Sequence, residues 1–138
     1  LASGVLLLDT IGELAALYSL ASIAFVGGSL VPRGGHNILE PAQFGVATLV
    51  GPHTENFRDI IGIFKRAGAV KIVDPEGFAG ELLRLLNDAG ARQDFGGRAA
   101  EVVRLHRGAT ERTLATLASL LPDGAAAKTA PAALEAIP

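Results

Sequence analysis

Two glycine-containing segments hold the residues whose types and spacing point to binding chemistry. The first, residues 27–37, reads GGSLVPRGGHN, and the second, residues 51–56, reads GPHTEN. Glycine has no Cβ, so it adopts positive φ and lets backbone N–H groups approach an anion closely. Such a segment beside polar side chains predicts a binding site for a phosphate that is attached to a ribose. The candidate binding residues are Gly28, Ser29, Arg33, Gly34, Gly35, His36, Asn37, Glu40 and His53.

The helix predicted near Asn37 and two polar side chains have specific predicted roles. The helix expected to start near Asn37 would direct its unpaired N–H groups and positive dipole end towards the anion. Arg33 would supply a persistent positive charge, and Glu40, about one turn inside that helix, would accept hydrogen bonds from sugar hydroxyls. The competing interpretations are that Asn37 only caps the helix, that Glu40 is only a favourable first-turn charge and that Arg33 is a surface arginine.

Each of the remaining candidate residues has a binding role and a plainer alternative. Gly34 and Gly35 bind the anion or form a plain turn, and Ser29 donates to a phosphate oxygen or is an ordinary serine after a glycine pair. His53 faces a bound sugar or phosphate, or makes no ligand contact. A single histidine does not make a metal site, and the chain offers no Ser-His-Asp set, Walker lysine or metal-ligand cluster. The prediction therefore includes no metal and no cofactor.

Alternating strands and helices are predicted to position these segments. Apolar runs predict strands at 5–8, 23–26, 47–50 and 70–73, and helical patterns cover 12–20, 38–44, 57–67, 75–86 and 91–121. Thr10 and Asn56 are expected to cap two of the helices, and glycines at 96–97 and 108 to bend or break the last. The alternation predicts an α/β fold with a parallel sheet, whose ligand-binding loops, at 9–12, 27–37 and 51–56, lie at the carboxyl ends of the strands.

Composition limits the class of protein. The 138 residues suffice for one domain, which we place at 1–121, with a disordered Ala/Pro-rich tail at 122–138. The net charge of −2 provides no basic field for nucleic acid. The chain has no Cys, which excludes disulfides and thiolate metal sites. It also has no Met and begins with Leu1, so we expect a piece of a longer protein.

The run SLVPRGGHNILEP at 29–41, followed by GPHTENF at 51–57, resembles the bacterial 3-deoxy-D-manno-octulosonic acid (Kdo) transferases. The resemblance extends more weakly from about residue 5 to residue 73. It implies the C-terminal, nucleotide-sugar-binding half of a GT-B fold, with a Rossmann-like parallel sheet and helices on both faces. In that family His36 and Asn37 would line the phosphate pocket, and Glu40 resembles the ribose-binding glutamate of many GT-B transferases.

The resemblance also implies an activity for the whole enzyme. The donor would be CMP-Kdo and the acceptor a lipid A precursor in lipopolysaccharide biosynthesis, with inverting transfer and no metal. Arg33 would stabilise the leaving phosphate, whereas the general base and the membrane contact would come from the missing N-terminal half. The enzyme would act at the cytoplasmic face of the inner membrane, and the fragment alone would be soluble and inactive. The alternatives are a GT-B domain for a UDP-sugar and a noncatalytic nucleotide-binding module.

Overall fold

A computed structural model describes residues 4–120 of the chain, with the backbone alone described at residues 109–112. Six α-helices and three β-strands are present in that part of the chain. In chain order they are α1 (Leu14–Leu17), β1 (Ile23–Val26), α2 (Leu39–Ala42), β2 (Ala47–Val50), α3 (Arg58–Arg66), β3 (Lys71–Ile72), α4 (Pro75–Asn87), α5 (Ala89–His106) and α6 (Ala109–Leu120). A short 3-10 helix at Tyr18–Leu20 directly follows α1, and another at Glu55–Phe57 directly precedes α3.

The three strands form one parallel sheet in the order β1, β2, β3. Ile23 lies opposite Ala47 and Val26 opposite Val50, so β1 and β2 end level with each other. β3 is shorter and pairs through Lys71 and Ile72. Because the strands are parallel, the segments that follow β1 and β2 leave the same edge of the sheet. Segments 27–37 and 51–56 therefore become neighbours.

Successive side chains of each strand point to opposite faces of the sheet. The apolar residues therefore form two clusters, one on each face. One cluster joins Val26 and Val50 to Ile61 and Phe64 of α3. The other joins Ala47 and Leu49 of β2 to Leu85 of α4 and Phe95 of α5. All four residues of β2 are buried, as expected for a central strand with helices on both sides. The predicted α/β fold, with a parallel sheet and helices on both faces, is confirmed.

Contacts within the chain define two compact units that divide between Leu105 and His106. The predicted domain boundary at residue 121 lies at the limit of the described residues and stays a prediction. The predicted tail at 122–138 lies outside them. Within residues 4–120, no helix combines the length and the apolar character that a membrane crossing requires.

Several predicted elements differ from the structure. Residues 5–8 form no strand, and Val5, Leu6 and Leu7 are exposed. An apolar run becomes a strand only where a neighbour supplies hydrogen bonds to its backbone, and no described strand pairs with this run. The predicted helix at 12–20 is shorter and partly 3-10, with Glu13 at its N-cap position, and the Thr10 hydroxyl donates to the Glu13 carboxylate.

The helix predicted at 91–121 also differs. α5 continues without a break through Gly96 and Gly97, and the break comes only at Gly108, where φ is 90°. Gly96 is buried against the turn at Gly45, and a Cβ built on Gly96 would lie 1.8 Å from the Gly45 carbonyl oxygen. The glycine at 96 therefore permits close packing of α5 on the turn before β2, instead of bending the helix.

Candidate functional site

The 27–37 segment closes on itself through its glycines. Gly28, Gly34 and Gly35 all adopt positive φ, between 68° and 82°, which strongly favours glycine over residues with a side chain. The Gly35 N–H donates to the Gly28 carbonyl at 3.0 Å and brings the two glycine pairs together. Since the Gly35 N–H is used in this way, Gly35 shapes the loop and does not offer that group to an anion.

Four hydrogen bonds join this segment to residues 51–56. The His53 N–H donates to the Ser29 carbonyl at 2.9 Å, and the Asn56 N–H donates to the Gly34 carbonyl at 3.1 Å. The Asn56 side chain donates to the Arg33 carbonyl at 3.3 Å, and the Gly51 N–H donates to the Ser29 hydroxyl at 2.8 Å. The two segments therefore form one connected unit at the carboxyl edge of the sheet.

Ser29 supports this unit through hydrogen bonds within the chain. Its side chain is fully buried. The hydroxyl donates to the Val26 carbonyl at 2.6 Å while it accepts the bond from Gly51. Because a hydroxyl has only one proton to donate, none remains for a phosphate oxygen. The prediction that Ser29 donates to the phosphate is corrected accordingly.

Asn56 is a site-supporting residue whose role the sequence pattern misassigned. It was predicted to cap the helix at 57–67, but α3 has Phe57 at its N-cap position and no side-chain cap. The Asn56 side chain instead occupies the space where a Cβ on Gly34 would stand, only 2.4 Å from that position. Gly34 is therefore needed for the close approach of the second segment as well as for its own positive φ.

Asn37 orients Glu40. The Asn37 side-chain oxygen accepts from the Leu39 N–H at 3.0 Å, and its amide donates to a Glu40 carboxylate oxygen at 3.3 Å. α2, which starts after Ile38, has only four residues, so the predicted contribution of a helix dipole to anion binding is not supported. The half-buried Glu40 carboxylate, held by Asn37, remains the positioned acceptor of the site.

A cleft of about 510 Å³ contains this carboxylate. Its lining residues are Leu14, Tyr18, Phe25, Val26, Gly27, His36, Asn37, Glu40 and Phe57. The predicted residues His36, Asn37 and Glu40 thus meet in one cavity, and the exposed His36 ring lies beside Gly28, 3.1 Å from the position of a Cβ there. Gly27 lines the cleft, whereas the predicted residue Gly28 does not.

The apolar wall of the cleft was missed by sequence reasoning. Leu14 and Tyr18 come from the first helical segment, Phe25 from β1 and Phe57 from the turn before α3. Burial, together with the negative charge of Glu40, raises the pKa of Tyr18 above its ordinary value. Both side chains line the same cleft, and the 3-10 helix that carries Tyr18 contacts α2. No pattern in the sequence marked Tyr18, the single Tyr of the chain, as a member of this wall.

The other predicted residues lie outside the lining of this cleft. Arg33 is exposed, whereas Gly34 and Gly35 are buried in the loop. The His53 ring lies 3.4 Å from the Glu55 carboxylate. The pKa of Glu55 is lowered, chiefly by a hydrogen bond from its own backbone and further by His53 and Arg58. Within residues 4–120, no group of His, Asp and Glu is arranged to hold a metal ion.

No protein-family model matches the chain. It is 41% identical over 112 residues to the 3-deoxy-D-manno-octulosonic acid transferase of Haemophilus influenzae, an alignment that covers 80% of this chain and 26% of the relative. It is 40% identical over 114 residues to the transferase of the same name from Bordetella pertussis, across 82% of this chain and 27% of that relative. The chain belongs to the Kdo transferase family.

A solved structure locates the chain within this family. The crystal structure of the C-terminal CMP-Kdo binding domain of WaaA from Acinetobacter baumannii is similar, with a TM-score of 0.66 and 40% sequence identity. The similarity covers 72% of this chain and 52% of that one. The chain spans about a quarter of the length of the two curated Kdo transferases, and its parallel sheet corresponds to the C-terminal half of the family's fold.

Proposed function

We propose that this chain is the donor-binding domain of a Kdo transferase and that it binds CMP-Kdo. The observation that carries the proposal is the cleft at the carboxyl edge of the sheet, where Asn37 holds the Glu40 carboxylate. A carboxylate is an acceptor suited to the two hydroxyls of a ribose. The similarity to the CMP-Kdo binding domain of WaaA supports the choice of donor.

Arg33 and the loop around it take the phosphate in this proposal. The exposed Arg33 follows directly before the buried pair Gly34–Gly35, and its guanidinium is free to turn towards a phosphate or towards the Kdo carboxylate. Negative charge grows on the phosphate as the bond to the sugar breaks, so a cation there favours the departure of CMP. His36, near the end of this loop, lines the cleft and contacts the phosphate side of the nucleotide.

In the complete transferase, the Kdo would pass to a lipid A precursor with inversion, without a metal or cofactor. The general base that activates the acceptor hydroxyl, and the contact with the membrane, belong to the N-terminal part of the enzyme. The relatives are named 3-deoxy-D-manno-octulosonic acid transferases, which supports Kdo as the transferred group. The proposed place of the reaction is the cytoplasmic face of the bacterial inner membrane.

We expect CMP to bind this chain more tightly than UDP or NAD. The loop offers one guanidinium, Arg33, and the cleft of about 510 Å³ has room for one nucleoside. Parallel calorimetric titrations with the three ligands measure the preference. Tighter binding of UDP would favour a UDP-sugar transferase, and absence of binding by all three ligands would contradict the donor-binding proposal. Tighter binding of NAD would contradict the assignment altogether.

In a complete transferase that carries this domain, Arg33→Ala is expected to reduce kcat far more than it weakens CMP binding. A charge used mainly as the leaving phosphate develops contributes to the transition state more than to the ground state. Arg33→Lys should restore activity only in part, because an ammonium does not reproduce the planar, bidentate guanidinium. Turnover and CMP affinity are measured on the same preparations. Normal turnover in Arg33→Ala would make the residue a surface charge.

A further inference from the structure

The cleft has two chemically different sides. Asn37, Glu40 and His36 provide polar groups, whereas Leu14, Tyr18, Phe25 and Phe57 provide an apolar and largely aromatic wall. A phosphate alone needs only the polar side, because its oxygens accept hydrogen bonds. A nucleoside needs both, since its ribose carries hydroxyls and its base presents two flat faces that stack on aromatic rings.

Tyr18 is the member of the apolar wall that combines an aromatic ring with a polar hydroxyl. Its 3-10 helix packs against α2, which carries Glu40. The ring is half-buried and reaches the cleft, while the negative charge of Glu40 acts on the phenol. A ligand that binds Glu40 in this cleft therefore shares the cavity with the Tyr18 ring.

We propose that Tyr18 contacts the pyrimidine base of the donor nucleotide, with the base packed on its ring while the ribose hydroxyls bind Glu40. This inference rests on the proposed function, because it assumes a nucleotide in the cleft. It assigns the base to a wall whose side chains, Leu14, Tyr18, Phe25 and Phe57, lie outside residues 27–37 and 51–56.

The composition of the chain makes the contact directly observable. Tyr18 is the single Tyr, and the chain has no Trp, so intrinsic fluorescence excited near tyrosine absorption reports on this one ring. Saturating CMP is expected to quench the emission at the concentrations at which calorimetry detects binding. N-acetyltyrosinamide titrated in parallel corrects for the light that CMP absorbs, and ribose 5-phosphate, which lacks a base, should quench much less.

Substitutions separate the base contact from a structural role. Tyr18→Ala is expected to weaken CMP binding about tenfold, the scale of one lost stacking contact, and to leave competition by ribose 5-phosphate unchanged. Tyr18→Phe keeps the ring and should bind CMP within about twofold of the original chain. Ser19→Ala is the matched control on the same 3-10 helix, since Ser19 is exposed and bonds only to the Ala16 carbonyl among the contacts of the described residues.

The outcomes distinguish this inference from the proposed function. Calorimetric CMP binding without quenching, and with unchanged affinity in Tyr18→Ala, would overturn the inference and leave the donor-binding proposal intact. Equal weakening of CMP and ribose 5-phosphate in Tyr18→Ala, with normal binding in Tyr18→Phe, would overturn the base assignment. Failure of the unsubstituted chain to bind CMP would defeat the donor-binding proposal and the inference with it.

Discussion

Gly96→Ala is expected to destabilise the domain by about 3 kcal/mol, the upper end for overpacking of a buried site. The new Cβ would stand 1.8 Å from the carbonyl oxygen of Gly45 and 2.7 Å from its carbonyl carbon. Both atoms belong to the backbone, so no flexible side chain can move aside. The turn before β2 and helix α5 would have to separate, which loosens the packing of α5 on the sheet. Urea denaturation followed by circular dichroism measures the loss.

Gly97→Ala is the matched control for this substitution. Gly97 occupies the next position of the same helix, is exposed, and has nothing within 4 Å of the position of a Cβ. Alanine there should stabilise the domain by about 1 kcal/mol or less, because glycine is the poorer helix former. Two variants with similar stability would mean that α5 does not pack on Gly45 as described.

The second large effect concerns Glu40. Glu40→Gln is expected to weaken CMP binding by about 1–3 kcal/mol, the scale of a lost charge-assisted hydrogen bond. The amide keeps the size of the side chain and one acceptor oxygen, but it lacks the charge that accepts strongly from ribose hydroxyls. The fold should survive, because the residue lies in an open cleft and is only half-buried. Calorimetry gives the affinity, and a thermal melt checks the fold.

Glu76→Gln provides the control for helix-start charge. Glu76 lies in the first turn of α4, as Glu40 lies in the first turn of α2, but it is exposed and does not line the cleft. Its substitution should leave CMP affinity unchanged. If Glu40→Gln also bound CMP normally, Glu40 would be a helix-start charge and the cleft would lose its ribose acceptor.

The sequence predicted those parts of the fold that depend on residues close to one another in the chain. Strands β1 and β2 were predicted with their observed bounds, because each is a short apolar run that ends at a glycine. The positive φ values of Gly28, Gly34 and Gly35 agree with the predicted glycine-rich loops. The grouping of His36, Asn37 and Glu40 in one cleft also follows from short spacing, since a single loop and one helical turn carry all three.

Long-range contacts decided the rest. Whether residues 5–8 form a strand depends on a partner strand, which local composition does not reveal. Ser29 looked available to a ligand because the sequence does not show that its side chain is fully buried beside Gly51, 22 residues later. Asn56 looked like a helix cap because the sequence does not show that Gly34 leaves it space.

The same distinction applies to the site. The glycine-rich loop is recognisable from the sequence, because its positive φ values are set by the glycines themselves. The aromatic wall is not, since Tyr18, Phe25 and Phe57 reach one cleft only after β1 is placed in the sheet and the two 3-10 helices pack beside it. Apolar side chains carry no directional signal that separates a core position from a ligand wall, so their role is decided by packing in three dimensions.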